Sequence, residues 1–289
     1  MIEPVTPLPP GGRRGFAGQG RRTERPAHAK APSELRVRGG GCCVGRGTWD
    51  VVTMSLGYNR PLYLLPFDRR YSYITDMCHF TPPLDAEQHA AVADSKRVIY
   101  DGFLEAVESG LPRDRAGILV DEEFGAELLR DAARVGCVTA VSTESSGSDE
   151  FEFEYGAAFA QHIAAVAPTF AKVLVRYNPE GDAALNRRQT ARLKQLSDYC
   201  RGASQPFMFE LLVPATPAQL DRVQGQNAAY DLRLRPELML ATIRTLQDAG
   251  VEPDVWKIEG LDRAEDCERI VGVARRYREW ATIFEQRQP

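Results

Sequence analysis

The sequence predicts an α/β fold of the (β/α)8 barrel type, and three observations lead there. Short apolar runs alternate with amphipathic helical stretches six times between residues 62 and 260. Strand followed by helix, repeated, requires a parallel sheet with helices on its faces. Polar residues gather at the C-terminal ends of nearly every run: Asp68 and Arg70, Asp121 and Glu122, Glu144, Arg176 and Asn178, and Glu259. That is where barrel enzymes carry their chemistry. The first turn, LPFDRRYSY, has no GxGxxG, which removes the dinucleotide-binding alternative.

The elements follow in order. LYLLPF (62–67) is the first strand, and Asp85 caps a helix that runs to Glu108 with Gly110 just beyond it. AGILV (116–120), CVTAVS (137–142), FAKVLVRY (170–177) and PFMFELLV (206–213) are strands two to five. The helix RPELMLATIRTLQDA begins at Pro236 in its first turn and closes at Gly250, and DVWKIEG (254–260) is the sixth strand. Beyond it, AEDCERIVGVARR runs into YREWATIFE, and Cys267, Ile270, Ala274, Tyr277, Ala281 and Phe284 keep one helical period across the join. The expectation is one continuous helix, no strands seven and eight, and a barrel truncated to about six βα units.

Residues 1–53 have a different character. They hold ten glycines, six prolines and no hydrophobic periodicity, and cannot bury enough surface to offset chain entropy. A disordered or mistranslated tail is expected there, with Met54 as the start of translation and residues 54–289 as an incomplete barrel domain. GGGCCVGRGT lacks the lysine of a phosphate loop. The tail has nine basic against four acidic residues, the remainder 27 against 36, so the body is acidic and nucleic acid is not its expected partner. The 289 residues are 43% hydrophobic, yet no apolar run approaches the roughly 18 residues of a membrane span, so no membrane partner is expected. The six cysteines form no CxxC pair, and a reducing, cytoplasmic setting is expected.

Lysine usage is the sharpest chemical signal. The chain has 31 arginines and five lysines, and two of the five, Lys172 and Lys257, lie inside strand-like runs. Burying an ammonium is costly, and arginine fills most salt-bridge roles here. A desolvated lysine, by contrast, can lose its proton and attack a carbonyl to form a Schiff base. Period-two geometry turns Lys172, Leu174 and Arg176 to one face of strand four, Met208, Glu210 and Leu212 to one face of strand five, and Val255, Lys257 and Glu259 to one face of strand six. The opposite faces are apolar and suit helix packing. Two lysines and a glutamate then share one interior, where Glu210 can move a proton; a structural ion pair plugging the barrel is the alternative. Metal-dependent chemistry would need histidines at strand ends, but His28 is in the tail, His79 in a loop, and His89 and His162 in helices. Neither metal nor cofactor is expected.

The runs KRVIYDGFLEAV, GILVDEEFG, ESSGSDEFEFEYG, KVLVRYNPEGDAALNRRQ, FMFELLVPATPAQL and DVWKIEGLDRAEDCERI resemble the aldolase-type domain fused behind 5-dehydro-2-deoxygluconokinase in bacterial myo-inositol catabolism, over residues 60–286. The similarity extends remotely to class I tagatose-bisphosphate aldolases. This resemblance implies a metal-free lyase that cleaves 2-deoxy-5-keto-gluconate 6-phosphate to dihydroxyacetone phosphate and malonate semialdehyde. It makes Lys257 the Schiff-base lysine, Lys172 the second active-site lysine, Glu210 the acid/base and Glu144 a further carboxylate beside the substrate. Asp68, Arg70, Arg176, Asn178 and Glu259 are candidates for holding the sugar phosphate. Ser145 and Arg69 depart from the family pattern, which has lysine and histidine there. The resemblance also implies two further strand–helix units, whose loss would remove the usual phosphate-binding loops, weaken catalysis and leave open sheet edges for homo-oligomers. A degenerate barrel that binds a ligand or partner without turnover is the alternative.

Overall fold

A computed structural model describes residues 58–276 and the backbone of residues 282–286. The expectations for residues 1–53 lie outside the described residues.

Seven strands form one parallel sheet in chain order: β1 (Tyr63–Pro66), β2 (Ala116–Val120), β3 (Val138–Ser142), β4 (Phe170–Arg176), β5 (Phe207–Leu212), β6 (Val255–Glu259) and β7 (Thr282–Gln286). The helices between them are α1 (Ala86–Glu108), α2 (Glu122–Arg134), α3 (Phe159–Val166), α4 (Ala183–Gly202), the trio α5 (Pro217–Arg222), α6 (Asn227–Arg233) and α7 (Arg235–Asp248), and α8 (Ala264–Ala274). These are six strand–helix units and a seventh strand. Asp85 caps α1 in a reciprocal capping box with Gln88, and Gly250 adopts φ +80° after α7, the left-handed region that glycine enters without strain.

Burial follows the period-two pattern. Ala171, Val173 and Val175 of β4, Phe207, Phe209 and Leu211 of β5, and Trp256 and Ile258 of β6 pack outward on Leu193, Leu196, Ile243 and Leu246 of the helices. Leu119, Val138, Ala140, Phe170, Met208 and Val255 face the opposite way with Leu62 and fill the interior near the N-terminal ends of the strands. Flat, β1 and β4 would lie about 14 Å apart. The Lys172 ammonium on β4 nevertheless meets Asp68, just past β1, at 2.7 Å, so the sheet curls into a half-barrel. Among the described residues β1 pairs only with β2, and Tyr63 on its outer face stays 57% exposed. That open edge is the geometry from which self-association was expected.

The expected continuous final helix is corrected. α8 stops at Ala274, and Thr282–Gln286 pairs in parallel with β6, Val255 opposite Thr282 and Glu259 opposite Gln286. Two local reasons account for this. The Gln247 amide of α7 donates to the carbonyls of Val273 and Ala274 at 3.1 and 3.2 Å and caps the helix end. The free edge of β6 then supplies hydrogen-bonding partners that a longer helix would leave unmet. Phe284, which the helical spacing assigned to that helix, lies in β7, where tertiary pairing overrides local period; Tyr277 and Ala281 lie outside the described residues, and strand seven is present.

Gly117 marks the closest approach inside the sheet. A Cβ there would lie 2.8 Å from the Val138 carbonyl oxygen, 2.9 Å from Val138 Cβ and 3.1 Å from Leu64 Cδ1. The nearest atom is backbone of the adjoining strand and cannot rotate away. Gly117→Ala is therefore expected to lower stability by roughly 1–3 kcal/mol, measured as a lower urea midpoint; an unchanged midpoint would show that β2 and β3 can part without cost.

Candidate active site

Strand register assembles the site. Glu210 sits directly across from Lys257 between β5 and β6, and across from Leu174 on β4. Lys172 pairs with Met208, one layer nearer the N-terminal ends, and its long side chain rises to the same level. Beyond β3 the chain folds back, with Glu144 bridged antiparallel to Phe153 and Thr143 donating to the Lys172 carbonyl at 2.9 Å. Glu144 is thereby turned inward.

Three carboxylates converge on one ammonium. Lys172 Nζ lies 2.7 Å from Asp68 Oδ2, 2.8 Å from Glu144 Oε1 and 3.0 Å from Glu210 Oε2. Asp68 and Glu144 accept hydrogen bonds from this ammonium, and Glu210 meets it as an ion pair. Lys257 engages the other oxygen of the same Glu210. Lys172 is fully buried and Lys257 is 5% exposed. Among the described residues no group of His, Cys, Asp and Glu is arranged to hold a metal ion.

The environments of the two lysines push them apart. Burial would lower the pKa of Lys172, but Asp68, Glu144 and Glu210 outweigh it and hold the group well above the ordinary value. For Lys257 burial dominates, the charge of Lys172 adds to it, and Glu210 opposes only in part, so its pKa is lowered. Burial would raise Asp68 and Glu210, yet Lys172 and Lys257 keep both below the usual carboxylate range. Glu144 moves the other way: burial, joined by the charge of Asp68, outweighs Lys172 and raises it. The site thus holds an amine that deprotonates more readily than usual and a carboxyl that keeps its proton to higher pH.

The remaining candidates fall into two groups. Arg70, buried, donates to the Glu144 carbonyl oxygen and pairs with Glu154 at 2.9 Å, so it braces the loop that carries Glu144. Arg176, at the end of β4, is 44% exposed with Asp149 3.9 Å away. Asn178 is engaged with the Pro214 carbonyl at 2.8 Å and with Gln219 at 2.7 Å, which ties the β4 and β5 loops together. Glu259 accepts from the Val213 amide at 2.8 Å and pairs with Arg235 at 3.2 Å. The structure brings Lys172, Lys257, Glu210, Glu144 and Asp68 together with Arg70 behind them; it places Asn178 and Glu259 in clasps between strand ends.

Sequence reasoning missed one buried group. Lys96 on α1 is fully buried against Asp121, also fully buried, and donates to the Arg69 carbonyl at 3.1 Å. The signal was available, since Lys96 is a third lysine in a chain that has only five. Its helical setting hid it among solvent-facing charges.

Residues 51–282 match a family profile described as "Uncharacterized protein conserved in bacteria (DUF2090)". The chain belongs to this family. The DUF2090 match spans all of β1 to β6, and so takes in every residue of the lysine and carboxylate cluster. No curated protein matches the chain. Among solved structures it is similar to one described as the crystal structure of an archaeal fructose 1,6-bisphosphate aldolase, with a TM-score of 0.47 and 10% identity, over 74% of this chain and 71% of that one.

Proposed function

We propose that the protein is a class I, Schiff-base aldolase acting on a keto sugar phosphate, with Lys257 as the nucleophile. The observation that carries this reading is the unequal treatment of two buried lysines around one carboxylate. Lys172 is paired with Asp68, Glu144 and Glu210 and its pKa is raised, whereas Lys257 has only a share of Glu210 and its pKa is lowered. A nucleophilic amine must be neutral, and a lowered pKa supplies it.

The substrate suggested by the resemblance is 2-deoxy-5-keto-gluconate 6-phosphate. Neutral Lys257 adds to its C5 ketone, Glu210 carries a proton from nitrogen to the ketone oxygen, and protonated Glu144 gives its proton to the resulting hydroxyl, which leaves as water to form the iminium and leaves Glu144 ionised. A base then takes the proton of the C3 hydroxyl as the C3–C4 bond breaks. The bonding electrons pass into the enamine at C4, and malonate semialdehyde departs. Glu144 fits that base, because its raised pKa lets it keep the proton and return it to C4. Water hydrolyses the second iminium, and dihydroxyacetone phosphate leaves. Lys172 stays charged throughout, keeping Asp68 and Glu210 ionised.

The test is product release. Purified protein given the keto sugar phosphate should release dihydroxyacetone phosphate, detected by coupled reduction, at a rate that excess chelator does not change. Binding without release would contradict turnover and leave a ligand-binding barrel; loss of release with chelator would contradict the metal-free route.

A further inference from the structure

We infer that Lys96 is a positioning residue, whose buried ammonium sets the loop after β1 and through it the contact of Asp68 with Lys172. This rests on the Schiff-base reading for its consequence in catalysis, though not for its geometry. Lys96 projects from α1 into a fully enclosed space, where its charge is met by Asp121 and where the rings of Tyr73 and Phe124 each lie 5.4 Å from Nζ. Asp121 is itself fixed, because its other oxygen accepts from the Phe124 amide at 2.9 Å and caps α2. An ammonium anchored in this way has one hydrogen bond that matters beyond its own neutralisation, the 3.1 Å bond to the Arg69 carbonyl.

Arg69 stands between two residues of the site. Asp68 reaches Lys172 at 2.7 Å and Arg70 braces the Glu144 loop, so a single carbonyl places both. Were Lys96 needed only to fill space, an apolar side chain would do so without the desolvation cost of a buried pair. Its donation to backbone is the kind of outer contact that orients reacting groups, and losing such contacts costs about 10–100-fold in function. Tyr73 adds a second tie to the same loop, since its hydroxyl donates to Ser95 Oγ at 3.0 Å on the helix that bears Lys96.

The test uses the full chain and removes the pair as a unit, Lys96→Met with Asp121→Asn, which leaves no unpaired charge and keeps an amide oxygen to cap α2. With isotope-labelled lysine, the Lys172 ammonium signal reports directly on its carboxylate partners, and only five lysines have to be assigned. Its hydrogens should exchange with water at least about tenfold faster in the double variant, and imine formation at Lys257 should slow by a similar factor with little change in its substrate concentration dependence. An unchanged Lys172 signal would overturn the proposal, whatever the melting temperature. Absence of imine in the unmodified protein would sink the Schiff-base reading alone, because the Lys172 signal still decides the role of Lys96. If the double variant does not fold, Tyr73→Leu removes one ring and the tie to Ser95, and should still quicken Lys172 exchange; no change there would also overturn the proposal.

Discussion

Replacing Lys257 with methionine is expected to lower aldol cleavage by at least about a thousandfold while leaving cooperative unfolding in place. Methionine occupies nearly the volume of lysine and can lie in the same slot, against the interior layer of Val255 and Met208. Glu210 keeps Lys172 as its counter-charge at 3.0 Å, so no carboxylate is stranded. The variant therefore separates chemistry from folding. Steady-state cleavage and a urea melt, measured side by side, check it. Cleavage within tenfold of the unmodified protein would mean that another group attacks the ketone.

Replacing Lys172 with methionine is expected to act on stability instead, by roughly 3–5 kcal/mol at neutral pH. Asp68, Glu144 and Glu210 all meet Lys172, and without it three buried carboxylates share only Lys257. In the unmodified protein Asp68 and Glu210 are held below their ordinary pKa. Each therefore adds stability that is present above the unfolded pKa and lost as pH falls through the folded one. In the variant the sign reverses. Crowded, desolvated carboxylates without their cation bind protons more tightly folded than unfolded, so stability is greatest at low pH and falls as pH rises through the folded pKa values. The deficit relative to the unmodified protein should shrink from pH 8 toward pH 5, as followed by urea midpoints. A deficit that grows on acidification would show that the three carboxylates do not depend on Lys172.

The legible part of the molecule was the part governed by local period. Alternation in FAKVLVR, FMFELL and VWKIE placed Lys172, Glu210 and Lys257 on one face, and apolar partners such as Val173, Phe209 and Trp256 on the other, as the packing shows. Capping chemistry at Asp85 and Gly250 was equally local. What could not be read was set by distant partners. That TIFEQ (282–286) extends as a strand depended on the free edge of β6 and on Gln247 across the α7–α8 contact, neither of which leaves a mark in that segment. Asn178 and Glu259 were read from position at strand ends, yet their partners, Gln219 and Arg235, lie in the long excursion between β5 and β6, whose path no periodicity gives. Lys96 belongs with these, since a helical lysine shows its burial only once Asp121 is seen to face it.

The central claim is that Lys257, and not Lys172, is the amine that meets a carbonyl, and covalent trapping tests it most directly. The full chain is incubated with dihydroxyacetone phosphate, reduced with borohydride, digested, and searched by mass for modified lysine. Only five lysines compete; Lys96 and Lys172 are fully buried, and Lys172 is held charged by three carboxylates where Lys257 has a share of one. The account predicts a single reduced adduct per chain, on Lys257, absent when borohydride is left out and blocked in Lys257→Met. An adduct on Lys172, or a folded chain that yields none, would contradict it.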